Sequence, residues 1–241
     1  MYYQTDSRSA NTGAMARTRN ATVHAVRRDA FVDAAQRLIQ AKGYEGMSIQ
    51  DVLDELDASR GAFYHYFGSK ADLLEAVVER LTDAATGALL PIVDDPDLSA
   101  TKKLDSFFTG LARWKGERTD LLRGLIDTWL TDDNAIVREK FRQRIVLRLT
   151  PILGRIVAQG RDEGWPATGE PEHVARALVS VIQGANEAAT ELYFARRNDT
   201  IPYAEVEPRL AVYWQAMERM LGLPGGSLTQ IDRATLREWY G

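Results

Sequence analysis

Cysteine is absent from the 241 residues, so disulfides, thiolate metal centres and cysteine nucleophiles are all excluded. Histidine is nearly absent too: His24, His65 and His173 stand far apart, at no spacing that would converge on a metal. No stretch reaches the ~18 consecutive apolar residues of a membrane helix, and the polar amino end lacks the apolar core of a secretion signal. Two-residue alternation, the mark of strands, is almost missing. Adjacent carboxylates occur, as at Asp162 and Glu163, but neighbours on a helix point to different sides and make no acid–base pair. These gaps leave no catalytic constellation, no metal set and no cofactor motif. They describe a soluble helical chain, suited to a reducing cytoplasm, whose 45% hydrophobic content suffices for one or two cores.

Acidic residues outnumber basic ones overall, 34 to 30, but not at the amino end. The formal net charge is -4, yet residues 1–28 hold Arg8, Arg17, Arg19, Arg27 and Arg28 against Asp6 alone. Basic charge therefore lies beside the motif that follows, which is where a nucleic acid would need it. Residues 1–21 are otherwise polar and without apolar periodicity, and read as a flexible, disordered arm. On it, Arg17 and Arg19 could reach phosphates or a narrow minor groove, or could simply be solvated. Met15-Ala-Arg-Thr-Arg19 has the form of a natural start, which would make residues 1–14 an upstream extension.

A first helix is expected from Thr22 or Val23 to Ala41, with Phe31, Ala34, Ala35, Leu38 and Ile39 at helical spacing and Gly43 stopping it. Arg27 and Arg28 near its start suit phosphate contact or plain surface charge. Then come two short helices around one tight turn. Ser48 can cap the first, with Asp51 three residues on completing an approximate capping box, and Val52, Leu53 and Leu56 share one face. Asp57-Ala58-Ser59 makes the turn, and Ser59 caps the second helix. On that helix Phe63 and Phe67 point inward, which leaves Arg60, Gly61, Tyr64 and His65 outward. Gly61 costs about 1 kcal/mol against alanine inside a helix, but a missing side chain lets backbone approach a duplex. This is the sequence form of a helix-turn-helix that enters a DNA groove. The acids Asp51, Asp54, Glu55 and Asp57 must then point sideways or away from phosphate.

Taken together, Ala41-Lys-Gly-Tyr-Glu-Gly46, Ser48, the Ser-Arg-Gly-Ala-Phe-Tyr run beginning at Ser59, Phe67 and Ser69-Lys-Ala-Asp-Leu-Leu74 resemble the DNA-binding domain of TetR/AcrR-type transcriptional repressors. The resemblance covers roughly residues 22–75. It departs at Tyr66, where the family often has His and this chain places His65 one residue earlier, and at Ala62, which is Thr in many relatives. It implies that Ser48, Tyr64 and Lys70 hold phosphates, while Arg60, Gly61, Ala62 and His65 face base edges or nearby backbone, with Ser59 and Arg27 in the same interface. The chemistry agrees: a phenol, an ammonium and a hydroxyl beside helix-start amides all grip phosphate. Arg60 can fork onto guanine O6 and N7, or reach a phosphate instead. Tyr66 could equally pack beneath the helix, and Lys70 could be an exposed charge at a helix start.

After Ser69 every long segment has helical period. Helices are expected at 69–89, 99–117, 119–131, 134–163, 171–197 and 203–221, with a last one at 229–239. Pro91 and Asp94-Asp-Pro-Asp97 punctuate the first break, Asp132-Asp-Asn134 caps the long helix, Pro151 kinks it, and Gly164-Trp-Pro-Ala-Thr-Gly169 ends it. Val181, Ala185, Ala188 and Leu192 on one helix, with Leu210, Tyr213, Trp214 and Met217 on another, form stripes with small residues that permit close approach. Family members pair such helices into a four-helix bundle between two copies. A single-chain core would bury the same stripes, and periodicity does not choose. Phe107, Phe108, Leu111, Trp114, Ile126, Trp129, Phe141, Ile145, Gln183 and Asn186 have the aromatic and sparsely polar character of a small-molecule cavity, or of ordinary core.

The expectation is an all-α chain in three parts: a basic arm over 1–21, a three-helix DNA-binding domain with a helix-turn-helix over 22–68, and a larger helical effector-binding and dimerisation domain over 69–241. By resemblance it would act in the cytoplasm as a homodimeric repressor of a palindromic double-stranded operator, released by a small-molecule effector, with no membrane partner. The competing expectation is a helical protein-binding or architectural module that does not bind DNA specifically.

Overall fold

The computed structural model describes the backbone of residues 8–129, 134–167 and 169–241, with side chains from residue 22 onward except those of 127–129. The described residues form helices and connecting turns, without strands. They are α1 (Arg8–Gly46), α2 (Ile49–Leu56), α3 (Arg60–Tyr66), α4 (Lys70–Asp94), α5 (Ala100–Gly116), α6 (Thr119–Trp129), α7 (Ala135–Asp162), α8 (Pro171–Arg197), a short 3-10 turn (Tyr203–Glu205), α9 (Val206–Leu221) and α10 (Arg233–Tyr240).

Helix α1 begins at Arg8, so residues 8–21 are helical backbone and not the irregular arm expected from their polarity. Ala10, Ala14, Ala16, Arg17, Arg19 and Ala21 are good helix formers without an intervening proline, and extending an existing helix needs no new nucleus. The other end matches expectation: Gly43 breaks the helix at φ 73°, a left-handed conformation that favours glycine.

Of the two helix prolines, Pro151 falls inside the long helix as expected, whereas Pro91 does not end its helix. Pro91 lies inside α4, which runs on to Asp94. The carbonyl it deprives of a donor belongs to Gly87, whose lack of a side chain leaves that turn uncrowded. In α7, Pro151 frees the carbonyl of Leu147, a strongly exposed residue that water can serve. Asp132 and Asp133, expected as caps for α7, lie outside the described residues, and Asn134 stands at the N-cap position. The last helix starts later than expected because Asp232 caps it, accepting from the amides of Ala234 and Thr235 at 2.9 and 3.0 Å.

Two principal cores result. The first joins Phe31, Ala35 and Ile39 of α1 to Val52 and Leu53 of α2, Phe63 and Phe67, then Leu73, Leu74, Val77 and Leu81 of α4, Leu121 and Leu125 of α6, and Val137 of α7. It crosses the boundary expected at residue 68 without interruption. The second gathers Leu89, Leu104, Phe107, Leu153, Ile156, Leu178, Ile182, Met217 and Leu221 from α4, α5, α7, α8 and α9. A smaller cluster of Leu192, Val206, Leu210, Leu236 and Tyr240 seats α10 on the ends of α8 and α9. Helix α6 couples these parts. A methyl on Gly124 would lie 2.5 Å from the carbonyl oxygen of Ile39 in α1. Its neighbour Arg123 reaches the other way, donating to the Glu238 carbonyl and sitting 5.5 Å over the Trp239 ring.

Candidate nucleic-acid interface

The two helices of the motif are held by the caps that their sequence specifies. Ser48 Oγ accepts from the Asp51 amide at 3.1 Å, while the Asp51 carboxylate accepts from the Ser48 amide at 2.7 Å. That same carboxylate takes the Ser48 hydroxyl proton at 2.6 Å and an ion pair from Lys42 at 2.8 Å. The Lys42 ammonium, and then Ser48, hold the Asp51 carboxyl well below the usual carboxylate range. Ser48 is therefore a committed cap, and its only proton is not available to a phosphate unless the box opens. Asp57 closes α2 in the left-handed conformation at φ 47°. Ser59 then caps α3, accepting from the Ala62 amide at 3.2 Å with its own proton uncommitted.

Helix α3 is divided cleanly between inside and outside. Phe63 is fully buried and Phe67 nearly so, both in edge contact with Phe31 at 5.8 and 6.2 Å between centroids. Tyr64 rests edge-on against Phe63 and stays 57% exposed, with its hydroxyl end free to reach outward. Arg60, Gly61 and His65 are exposed beside it. A Cβ on Gly61 would meet nothing nearer than Ser59 Oγ at 3.9 Å, and its φ is an ordinary one. Nothing inside the chain requires glycine there. Ala62 departs from expectation: one residue before the buried Phe63, it is half-buried and packs against the first core. Tyr66 also packs inward, 5.7 Å from Phe31.

Around this face, Arg27 is exposed, whereas Arg28 is half-buried with its guanidinium 5.2 Å over the Phe67 ring. Lys70 opens α4 half-buried, its ammonium 4.1 Å over Tyr44. Burial pushes its pKa down, against the opposing pull of Glu45 and Asp51. A cation at a helix start gains nothing from the helix dipole. The side chains of Arg17 and Arg19 lie outside the described residues. The acids of α2 are occupied within the protein: Asp51 with Lys42, Asp54 with the Gln50 amide at 2.7 Å, and Glu55 with Arg37 at 2.6 Å.

Two residues of this face were not singled out by sequence. Gln50 Oε1 lies 3.4 Å from Arg60 Nη2, which links α2 to α3 on the outer side. His24 of α1 contacts the rings of Tyr66 at 4.5 Å and His65 at 5.3 Å. Its position seven residues before Phe31 puts it on the same side of α1, a signal that helical phase could have supplied.

The other candidate sets divide. Phe107 is fully buried core, since it faces α4 and α7 directly. Phe108, Leu111 and Ile145 keep accessible surface against the second core, whereas Trp114 and Phe141 pack on the first, so the set does not form one cavity. Ile126 is half-buried, and the side chain of Trp129 lies outside the described residues. Gln183 donates to the Arg142 carbonyl at 2.8 Å, and Asn186 accepts from Lys115 Nζ at 3.0 Å. Of the interface candidates, Leu192, Leu210 and Met217 are buried within the chain's own clusters, because their stripe is the one that joins α8 to α9. Val181, Ala185, Ala188, Tyr213 and Trp214 keep accessible surface, and Val212, not anticipated, is 57% exposed. An open groove of about 400 Å³ runs between Ala188, Glu191, Ala195, Arg209 and Tyr213.

The sequence model described as bacterial regulatory proteins, tetR family, matches residues 31–77, which is the first core up to mid-α4. An uncharacterised HTH-type transcriptional regulator of Lactococcus lactis is 42% identical over 52 residues, 22% of this chain and 26% of that protein. The chain thus spans about a quarter of that relative's length. The HTH-type transcriptional repressor ComR of Escherichia coli is 25% identical over 168 residues, 68% of this chain and 80% of its own length. The crystal structure of a TetR-family transcriptional regulator from Pectobacterium atrosepticum covers 88% of this chain and 98% of its own, with TM-score 0.57 at 20% identity, and so shares the fold. The caps, the inward phenylalanines and the open outer face all fall inside the matched segment, so residues 31–77 form a helix-turn-helix domain similar to that of tetR-family bacterial regulatory proteins.

Proposed function

We propose that this chain is a homodimeric repressor: it reads a palindromic operator through α3 of each copy and leaves that operator when a small molecule binds its helical body. The observation that carries the reading is Gly61, a helical glycine that costs stability, meets no close neighbour in its own chain, and stands between exposed Arg60 and Tyr64. A missing side chain at that point admits a phosphodiester backbone.

Arg60 is the base reader, its planar fork matched to guanine in the major groove. Tyr64, Lys70, Arg27 and the free hydroxyl of Ser59 set register on phosphates, and His65 flanks them. Ala62 contributes shape through its small size. The repressor sense draws on the likeness to ComR. The dimer would use the accessible parts of α8 and α9, namely Val181, Ala185, Ala188, Val212 and Tyr213, because two heads must stand about one DNA turn apart to read a palindrome. A small molecule releases DNA by favouring the arrangement in which that spacing is wrong. No described helix is long and apolar enough to cross a membrane, and a regulator of this kind acts on DNA in the cytoplasm.

Selection from a random duplex pool, followed by anisotropy titrations at several salt concentrations, tests the reading. The expected outcome is a two-fold symmetric site. Arg60→Ala should relax preference at one base pair by about 1–3 kcal/mol, and Tyr64→Phe should weaken all sequences alike. A folded protein that enriches no sequence would overturn the proposal in favour of a protein-binding module. Uniform weakening with a flatter salt slope in Arg60→Ala would move Arg60 to the phosphates.

A further inference from the structure

We infer that Gln50 of α2 is the positioning residue for Arg60: it aims the guanidinium in advance, and Asp54 in turn fixes Gln50; this rests on the reading above that Arg60 contacts a base. Two hydrogen bonds run end to end on the outer side of the motif. Gln50 Nε2 donates to Asp54 Oδ1 at 2.7 Å, one turn further along α2, and Arg60 Nη2 donates to Gln50 Oε1 at 3.4 Å, across to α3. All three residues are exposed. At its length the second bond steers the side chain without locking it.

This relay runs in one direction only. A carboxylate accepts and a guanidinium donates, so Gln50 must turn its amide nitrogen to Asp54 and its carbonyl oxygen to Arg60. The flipped amide would set oxygen against oxygen and N–H against N–H. Asp54 is also the acid of α2 that has no cation partner among the described residues. Asp51 pairs with Lys42 at 2.8 Å and Glu55 with Arg37 at 2.6 Å, whereas Asp54 holds the neutral Gln50. An uncompensated carboxylate beside a DNA-reading helix repels phosphate; its hold on Gln50 gives it a role there.

The bond to Gln50 leaves Arg60 able to read. One Nη2 proton is spent, and the remaining donors suffice for the two-pronged contact with guanine O6 and N7. What changes is the freedom of the side chain. An unheld arginine samples many rotamers and can swing to a phosphate whatever the sequence. A held one gives up less freedom on meeting guanine, and is slower to find an alternative when guanine is replaced. Gln50 therefore supplies discrimination more than affinity.

Anisotropy titrations of the full chain, on the selected operator and on a duplex altered at the base pair where Arg60→Ala loses preference, test the inference. Gln50→Met keeps the stem and removes the acceptor. Its preference for the operator should fall by about fivefold or more, while random duplex binds as well or better and the melting temperature stays within about 2 °C of wild type. Asp54→Ala separates the relay from plain charge: a field effect alone tightens every duplex alike, whereas the relay also narrows the preference at that base pair. The double variant Gln50→Glu with Asp54→Asn keeps the net charge, reverses the first hydrogen bond and returns an acceptor to Arg60, so it should restore the wild-type preference. In an Arg60→Ala background, Gln50→Met should change nothing further. The inference is overturned if Gln50→Met keeps the preference that Arg60→Ala loses, if Asp54→Ala tightens all duplexes without narrowing it, or if the charge-matched pair fails to recover it. It is overturned too if Gln50→Met still acts once Arg60 is gone, which would make Gln50 a base contact of its own. Should no operator be found, or Arg60→Ala leave preference intact everywhere, the reading of the site falls and the positioning role falls with it.

Discussion

Alanine at position 124 should drive a wedge between α6 and the reading head. The added Cβ would sit 2.5 Å from the Ile39 carbonyl oxygen and 3.4 Å from Ile39 Cγ2. The obstructing oxygen is main chain inside α1 and cannot rotate away, so the helices must part by about 1 Å to reach ordinary contact distance. Overpacking of this kind costs about 1–3 kcal/mol, offset by about 1 kcal/mol for replacing glycine in a helix. The net loss of about 0–2 kcal/mol lowers the melting temperature by up to roughly 8 °C in a chain of this size, and the gap to a helical alanine that meets no clash should be the full ~1–3 kcal/mol, about 2–12 °C. Gly116→Ala is the control. It also lies in a helix, but its Cβ would meet nothing within 4 Å, so it should melt at or slightly above wild type. Scanning calorimetry on the three proteins decides. If Gly124→Ala melts as high as Gly116→Ala, the close approach of α6 to α1 is not a feature of the molecule in solution.

Ser48→Ala should lose about 0.5–2 kcal/mol through the broken cap, read as a lower urea midpoint, and leave the salt slope of DNA binding unchanged because the hydroxyl proton is spent on Asp51; a flatter slope would make Ser48 a phosphate ligand after all. Lys42 and Ser48 depress the Asp51 carboxyl, so its contribution is present above its unfolded pKa of ~3.9 and is lost as pH falls through the lower folded value. Asp51→Asn should therefore show a shallower loss of stability on acidification below that point, and identical acid profiles would refute the pairing. Burial pushes the Tyr240 phenol up to about 12, so the folded state holds that proton more tightly than the unfolded chain. Its contribution is complete below pH ~10 and disappears as pH rises through about 12. Tyr240→Phe should accordingly lose less melting temperature than wild type between pH 9 and pH 11, and parallel curves would show the phenol to be accessible.

What the sequence could reveal was local. The Ser48–Asp51 box, the Ser59 cap and the break at Gly43 each depend on a few adjacent residues, and each stands as read. Spacing likewise put Phe63 and Phe67 inside and Tyr64 outside. Periodicity names a helix face but not the neighbour it meets. Leu192, Leu210 and Met217 therefore looked like a surface for a second copy, when α8 and α9 use them on each other. Trp114 and Phe108, both on α5, end in different cores for the same reason. Gln50 beside Arg60, and His24 beside His65, join separate helices and could be found only once α1, α2 and α3 were placed together. Polarity misled at residues 8–21, where continuation from an established helix outweighs the lack of an apolar face.

Because the apolar interior beneath α3 continues through Leu73, Leu74, Val77 and Leu81 into Leu121, Leu125 and Val137, the reading head has no seam along which it could swivel. A fragment cut after residue 68 would strip the shelter from Phe63 and Phe67 and should be recovered as aggregate. In the intact chain, the same continuous packing ties α6 to the ground on which α3 rests, so neither helix can be repacked without disturbing the other.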